Sequence, residues 1–173
     1  MQQEQWGAWE AQLAAFRLPE WESLPELELY MDQVVVLVGR YLSFPPQAEG
    51  DDKLITASIV NNYVRMKIMP PPVKKKYGRV HLAYLLMICT LKRSLPIAAI
   101  QRLIPAQMDE EETRALYGRF LLCFQEAAEA FPRYTRSLLE RSGPEGGPLA
   151  AAASATLSRA LSEYLIFGEP KAE

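Results

Sequence analysis

Residues 55–79 read ITASIVNNYVRMKIMPPPVKKKYGR, and they contain the signals from which the fold class is predicted. Apolar residues follow Thr56 at helical spacing, which predicts a short helix that ends near Met66 and has Thr56 or Ser58 as its N-cap. Three prolines at 70–72 end this helix, because proline has no backbone donor and holds the chain extended. The sequence therefore predicts a short helix followed by a stiff extended stem.

A run of three lysines, Lys74, Lys75 and Lys76, lies at the tip of that stem. Charge is strongly segregated around it, because the chain between Lys53 and Met108 has ten basic residues and no acidic residue. The remainder holds nine basic residues and all 21 acidic ones, so a net charge of −2 hides a middle segment of +10. Such segregation favours a polyanionic partner, and nucleic acid is the first candidate.

Helical patterns flank the basic segment on both sides, and no segment alternates as a strand does. A loop is expected at 44–52, and the glycine- and proline-rich stretch 142–148 predicts a linker. The predicted fold class is therefore all-α, or nearly so. The other predicted helices cover residues 3–16, 26–42, 79–93 and 96–104, a segment that starts at Asp109, and residues 149–167.

The order of elements around the lysines is that of a winged helix-turn-helix. In this design a short second helix enters the DNA major groove, and the wing follows the adjacent sugar-phosphate backbone. Amide, hydroxyl and guanidinium groups on such a helix can hydrogen-bond base edges, whereas lysines on a wing hold phosphates. The predicted base-contacting residues are Ser58, Asn61, Asn62 and Arg65, and the predicted phosphate-contacting residues are Lys67, Lys74, Lys75, Lys76 and Arg79.

The same residues resemble MerR-type regulators. Residues 55–71 resemble their recognition helix and turn, which run Thr-Leu-Arg-Tyr-Tyr-Glu and then Gly-Leu-Leu-Pro-Pro. Lys75-Lys76-Tyr77 resembles their Arg-x-Tyr wing end, and residues 86–104 resemble their later helices. The resemblance implies a MerR-like winged helix-turn-helix with a reduced wing and additional C-terminal helices. This chain departs from the pattern in having Asn61-Asn62 for the Arg-Tyr pair, Lys67 for the turn glycine, and a wing shorter than a full hairpin.

A closer resemblance is to an uncharacterised bacterial family of about this length that is generally taken to contain a MerR-like domain. It covers roughly residues 18–105. The residues that show it are Leu29-Tyr30-Met31-Asp32-Gln33, Asn61-Asn62-Tyr63 and the PVKKKY stretch at 72–77.

Together these patterns predict a cytoplasmic DNA-binding transcriptional regulator that binds double-stranded DNA and forms a homodimer. Residues 1–23 are expected to form an N-terminal amphipathic helix and connector, and residues 24–105 the winged helix-turn-helix. Residues 106–173 are then a helical dimerisation or sensing segment, for which the sequence identifies no small-molecule effector.

An alternative is a protein-interaction module on a helix-turn-helix-like scaffold that no longer contacts bases. In that case the basic face docks an acidic protein or the acidic flanks of the chain itself. The N-terminal helix bears on this choice, because Trp6, Trp9, Leu13 and Phe16 form a heavy aromatic face. That face either packs in the core or fits a partner groove.

Enzymes, metal proteins and membrane proteins are not indicated. The sequence lacks a nucleophile elbow, a glycine-rich phosphate cradle and paired His and carboxylate residues at ligand spacing, so no catalytic residue, metal site or cofactor is predicted. The longest apolar run, 80–91, is shorter than the ~20 residues that span a bilayer, and the first residues do not resemble a secretory signal. Cys89 and Cys123 are expected to be buried, reduced thiols.

Overall fold

The computed structural model describes residues 2–43 and 54–168. Within them the chain forms α-helices and one short 3-10 helix, and extended segments pair only at two isolated bridges, so the all-α prediction is confirmed. The predicted loop at 44–52 and Lys53 lie outside the described residues. The helices are α1 (Gln2–Ala15), α2 (Met31–Tyr41), α3 (Ala57–Arg65), α4 (Arg79–Leu91), α5 (Ile97–Leu103), α6 (Glu110–Phe167) and the 3-10 helix Trp21–Ser23.

Helix α4 is the centre of the core. Its sequence is apolar around the whole helix, and residues 81–89 are all buried, as expected for a helix surrounded by other elements. It packs against α2 and α6, which contribute the fully buried side chains of Val34, Val38 and Tyr117. The elements that hold the basic residues are therefore mounted on a well-packed core.

Helix α2 begins at Met31, five residues later than predicted. The reason is a tertiary contact: the backbones of Leu29 and Tyr77 pair through two hydrogen bonds of 2.9 Å each, which holds Leu29 extended. The helix can then start only after Tyr30, whose N–H donates to Gln33 Oε1 at 2.9 Å. We call residues 16–30 the connector.

Helix α6 consists of two arms, 110–142 and 144–167, joined at Gly143, whose φ of 69° is not helical. The Tyr134 hydroxyl lies 2.6 Å from Ser154 Oγ, a contact that a straight helix would make impossible. The two arms therefore fold back on one another as a hairpin. The predicted linker 142–148 is wrong in extent, because helical hydrogen bonding continues on both sides of one glycine that takes up the whole change of direction.

Helix α1 packs on the first arm of α6. Trp9 lies against Phe131 and Phe16 against Phe124, with ring centroids 5.9 and 6.0 Å apart. Arg136 adds two hydrogen bonds of 2.9 and 2.8 Å to the Glu10 carboxylate. Of the two uses considered for the aromatic face of this helix, the structure supports packing within the chain.

Within 2–43 and 54–168, no helix has both the length and the apolar character that crossing a bilayer requires. Cys89 is buried, as predicted, and both cysteines are free. Cys123 is exposed, contrary to the prediction, because it lies on the solvent side of the first arm beside the exposed Leu122.

Candidate nucleic-acid interface

The four predicted base-contacting residues lie on the outer side of α3. The inner side of this helix buries Val60 and Tyr63, and Thr56 caps its start by accepting a 3.2 Å hydrogen bond from the Ile59 N–H. Ser58, Asn61 and Arg65 are separated by three and four positions, so they share one face, and all three are exposed. The structure thus brings together the polar groups that sequence spacing had grouped.

Asn62 positions Arg65. The Arg65 guanidinium donates a 2.7 Å hydrogen bond to Asn62 Oδ1, and Asn62 Nδ2 lies 3.3 Å from the Met66 sulfur. Because a guanidinium has five donors, one such bond orients the group and leaves the others for a ligand. Ser58, Ile59, Asn61, Asn62 and Arg65 line an open depression of about 550 Å³.

Lys67 ends α3 in a conformation that usually requires glycine. Its φ is 55°, in the left-handed region. The Lys67 N–H donates to the Val64 carbonyl at 3.0 Å and the Ile68 N–H to the Tyr63 carbonyl at 2.9 Å, which are the two bonds of a Schellman motif. The lysine therefore occupies the left-handed position at which helices usually end in glycine, and it is exposed just beyond the end of α3.

The three-lysine run forms a two-residue turn, residues 73–76, which we call the basic turn. The backbones of Val73 and Lys76 exchange hydrogen bonds of 3.0 and 2.9 Å, and between them Lys74 and Lys75 have φ values of 50° and 65°. Two successive positive φ angles define a type I′ turn, for which Asn-Gly is the favoured pair. Lysine at both positions is sterically unfavourable, since left-handed backbone costs an ordinary residue about 1–2 kcal/mol.

Two of the predicted phosphate-contacting residues are engaged within the molecule. Arg79 donates from Nε and Nη2 to the Leu24 carbonyl at 3.2 and 3.0 Å, and its Nη2 lies 3.5 Å from Glu26. Lys76 lies 3.9 Å from Glu28. Arg79 thus links α4 to the connector, which folds over the start of α4. Its contact with phosphate stays a prediction.

Some of the other cations also contact groups within the molecule, and others do not. Lys92 donates to the Leu54 carbonyl at 3.3 Å, and Arg102 lies over the Phe167 ring. In contrast, Lys67, Lys74 and Lys75 are exposed and form no hydrogen bond or ion pair within the described part of the chain. Among the described residues, these three lysines are exposed cations of the site with neither a hydrogen bond nor an acidic partner.

Two tyrosines of the basic segment are structural. Tyr63 and Tyr77 are buried, and burial raises the pKa of both phenols above the usual value. Because both rings are buried, they are not available to stack on exposed bases.

His81 is a residue of this site that sequence reasoning did not include. Its Nδ1 accepts a 3.0 Å hydrogen bond from the Gly78 N–H, and its Nε2 lies 3.0 Å from the Pro71 carbonyl oxygen. The available signal was its position three residues after Gly78, where a side chain can cap the first turn of a helix.

Residues 19–120 match the family described as "Domain of unknown function (DUF1836)". The chain belongs to this family. The matched range contains α2 to α5, the basic turn and the start of α6, and it includes the predicted range 18–105 almost completely. No curated protein and no solved structure matches the chain. The resemblance to an uncharacterised family is therefore confirmed, and the MerR-like part of that prediction stays a prediction.

Proposed function

We propose that this member of the DUF1836 family is a DNA-binding transcriptional regulator rather than an enzyme. Helix α3 enters the major groove and presents Ser58, Asn61 and Arg65 to base edges, with Asn62 orienting the Arg65 guanidinium. Lys67 at the end of α3 and Lys74 and Lys75 in the basic turn hold phosphates. This assignment divides the site into residues that select sequence and residues that supply affinity.

The observation that carries the proposal is the backbone of the basic turn. Lys74 and Lys75 both have positive φ values, and neither has an acidic partner among the described residues. Their side chains therefore do not offset the unfavourable backbone through any contact within that part of the chain. Strain of this kind is typical of functional positions, and two adjacent exposed cations suit the phosphates of a nucleic-acid backbone.

Helix α2 ends at Tyr41 and helix α3 begins at Ala57, so they lie further apart in sequence than the two helices of a standard helix-turn-helix, whose turn has about 3–4 residues. Helix α3 is instead fixed by its buried Val60 and Tyr63 and by its capped ends. Contact with the major groove requires a firmly held, exposed helix beside the basic turn, and a short turn before that helix is not required.

We also propose that the second arm of α6 forms the homodimer interface. Leu157, Leu161 and Leu165 are 71%, 59% and 73% exposed, and their spacing places them on one face with Tyr164. Between residues 146 and 162 the one charged side chain is Arg159, which pairs with Glu163 at 2.9 Å.

A second copy of the chain is the partner that this face fits best. The apolar stripe has no charged side chain that would select an oppositely charged partner. An isologous contact places the stripe against itself. A standard interface buries about 800 Å² per partner, and several exposed leucines with neighbouring aromatic residues can supply an area of this order.

The interaction module is the second candidate, and one observation favours it. Lys76 and Arg79 are already paired with Glu28 and Glu26 of the connector, so acidic protein segments can bind part of the basic surface. On this view the ligand of Lys74 and Lys75 is an acidic peptide.

Gel retardation of random-sequence double-stranded DNA at two salt concentrations tests the proposed function. A DNA-binding regulator gives retardation that weakens at the higher salt, and repeated selection from the random pool enriches one site. Absence of retardation at the lower salt would contradict the proposal and leave the interaction module.

A further inference from the structure

The basic turn is attached to the core at both of its ends by one side chain, His81. The imidazole Nδ1 accepts a 3.0 Å hydrogen bond from the Gly78 N–H, and Nε2 lies 3.0 Å from the Pro71 carbonyl oxygen. Pro71 precedes the turn and Gly78 follows it, so one ring connects the two strands of the projection. The ring itself is buried on α4, the central helix of the core.

The two contacts fit one tautomer of the ring. A backbone N–H is always a donor, so Nδ1 acts as the acceptor. A carbonyl oxygen is always an acceptor, so Nε2 is the nitrogen that donates to Pro71. The Tyr77 ring lies edge-on to that of His81 with centroids 5.5 Å apart, which limits rotation of the imidazole.

A clamp of this kind is needed because the turn is unfavourable on its own. Val73 and Lys76 form one bridge, and a two-residue hairpin with one bridge is not stable in isolation. Left-handed lysines would relax if either end were free. The pairing of Tyr77 with Leu29 fixes the far strand to the connector, and His81 is the element that fixes both strands to the core.

We infer that His81 is a positioning residue, which holds Lys74 and Lys75 in the orientation required for phosphate contact. The effect of His81 on DNA binding rests on the proposed function, whereas its two hydrogen bonds to the turn do not. His81 does not touch the ligand, and it acts through the two lysines. Removing it should therefore produce the same binding defect as removing the lysines, although all positive charges are still present.

The geometric part is tested without DNA, by amide hydrogen exchange. His81→Leu removes both hydrogen bonds, His81→Asn keeps an acceptor for Gly78, and His81→Gln keeps a donor for Pro71. Amide protons of Lys76 and Tyr77 should exchange roughly tenfold faster or more in His81→Leu, and to an intermediate extent in the other two variants. Ile88→Val, a buried change on the same helix, is the matched control and should leave these local rates unchanged relative to the slowest amides.

Equal exchange in wild-type protein and all three His81 variants would overturn the clamp. So would ring ¹⁵N chemical shifts that show a proton on Nδ1. If His81→Leu does not fold, the Asn and Gln variants and the ring shifts still decide the question.

The functional part is tested by a double-mutant cycle. His81→Leu should weaken DNA binding in the wild-type background and have no further effect in Lys74→Ala/Lys75→Ala, because both changes act through the same two amines. An equal loss in both backgrounds would overturn the positioning role. Failure of the unmodified protein to bind DNA would overturn the proposed function and this functional consequence, whereas the exchange data would decide the clamp independently.

Discussion

Leu29 and Tyr77 exchange two backbone hydrogen bonds of 2.9 Å, and this pairing decides which lysines are free. It brings Glu28 to 3.9 Å from Lys76, so an acidic side chain of the connector pairs with the last residue of the basic turn. Lys74 and Lys75 lie beyond the reach of that contact and have no acidic partner among the described residues. Among the described basic residues of the segment, Lys76 and Arg79 thus have acidic partners in the connector, whereas Lys74 and Lys75 do not.

Lys67 allows strain and charge to be separated. Lys67→Gly should raise the free energy of unfolding by about 0.5–1 kcal/mol, because glycine adopts the left-handed region without steric cost. Lys67→Ala removes the same charge but keeps a Cβ, so its stability should stay close to that of the wild type. Both should weaken DNA binding equally. Chemical denaturation of the three proteins measures the difference, and a Gly variant no more stable than the Ala variant would refute the strain argument.

Arg79 should behave as a structural residue. Arg79→Gln removes two charged donors from the Leu24 carbonyl, which should lower the free energy of unfolding by about 1–2 kcal/mol. The salt dependence of DNA binding should not change. Lys76→Gln is the comparison, since its exposed ion pair should contribute less than about 1 kcal/mol. A less steep dependence of DNA affinity on salt concentration in Arg79→Gln than in the wild type would show that Arg79 contacts phosphate.

The exposed stripe on α6 should determine the oligomeric state. Leu157→Glu/Leu161→Glu should convert a dimer into a monomer, because two carboxylates would be buried without partners in the interface. Ala155→Glu, an exposed change on the opposite face of the same arm, should leave the dimer intact. Sedimentation velocity distinguishes the species. A wild-type chain that sediments as a monomer would contradict the interface proposal.

The buried thiol of Cys89 should lower the free energy of unfolding at alkaline pH. Burial raises the pKa of its thiol from the usual 9.0 to about 12. Between these values the unfolded chain has lost the proton and the folded chain has kept it, so stability falls as pH rises through this range and is unaffected below it. The difference in unfolding free energy between wild type and Cys89→Ala should therefore shrink above pH 9. A difference that stays constant up to pH 11 would be inconsistent with a protonated, buried thiol.

Local signals predicted most helix boundaries. Thr56 caps α3, and Asp109 starts α6 by accepting from the Glu112 N–H at 2.8 Å while its own N–H donates to the Glu112 carboxylate at 3.0 Å. In each case the deciding residues are three positions apart, so the sequence contains the whole interaction. The polar face of α3 was predictable for the same reason, because helical periodicity alone places Ser58, Asn61 and Arg65 together.

Features that depend on distant residues could not be predicted in this way. The late start of α2 follows from Tyr77, and the internal role of Arg79 follows from the Leu24 carbonyl, 55 positions away. Type I′ turns usually contain Asn-Gly, so two lysines at these positions did not indicate the left-handed backbone that is observed. Helix propensity likewise gave no indication that Gly143 alone would form the hinge of α6.

We propose that Lys74 and Lys75 are held in an unfavourable backbone because their amines contact phosphates. Lys74→Asn/Lys75→Gly tests it directly, since Asn-Gly is the preferred type I′ pair. The variant should be more stable than the wild type by about 1–2 kcal/mol. Lys74→Ala/Lys75→Ala should lose the same charge without that gain. Arg119→Ala/Arg133→Ala, an exposed pair on α6, is the charge-matched control and should bind DNA as the wild type does.

The decisive quantity is the slope of log affinity for double-stranded DNA against log salt concentration in Lys74→Asn/Lys75→Gly. Loss of two phosphate contacts should make that slope less negative by about 1.8 while the protein becomes more stable. A variant that is stabilised but keeps the wild-type slope would contradict the proposal, because it would show that Lys74 and Lys75 do not contact phosphates.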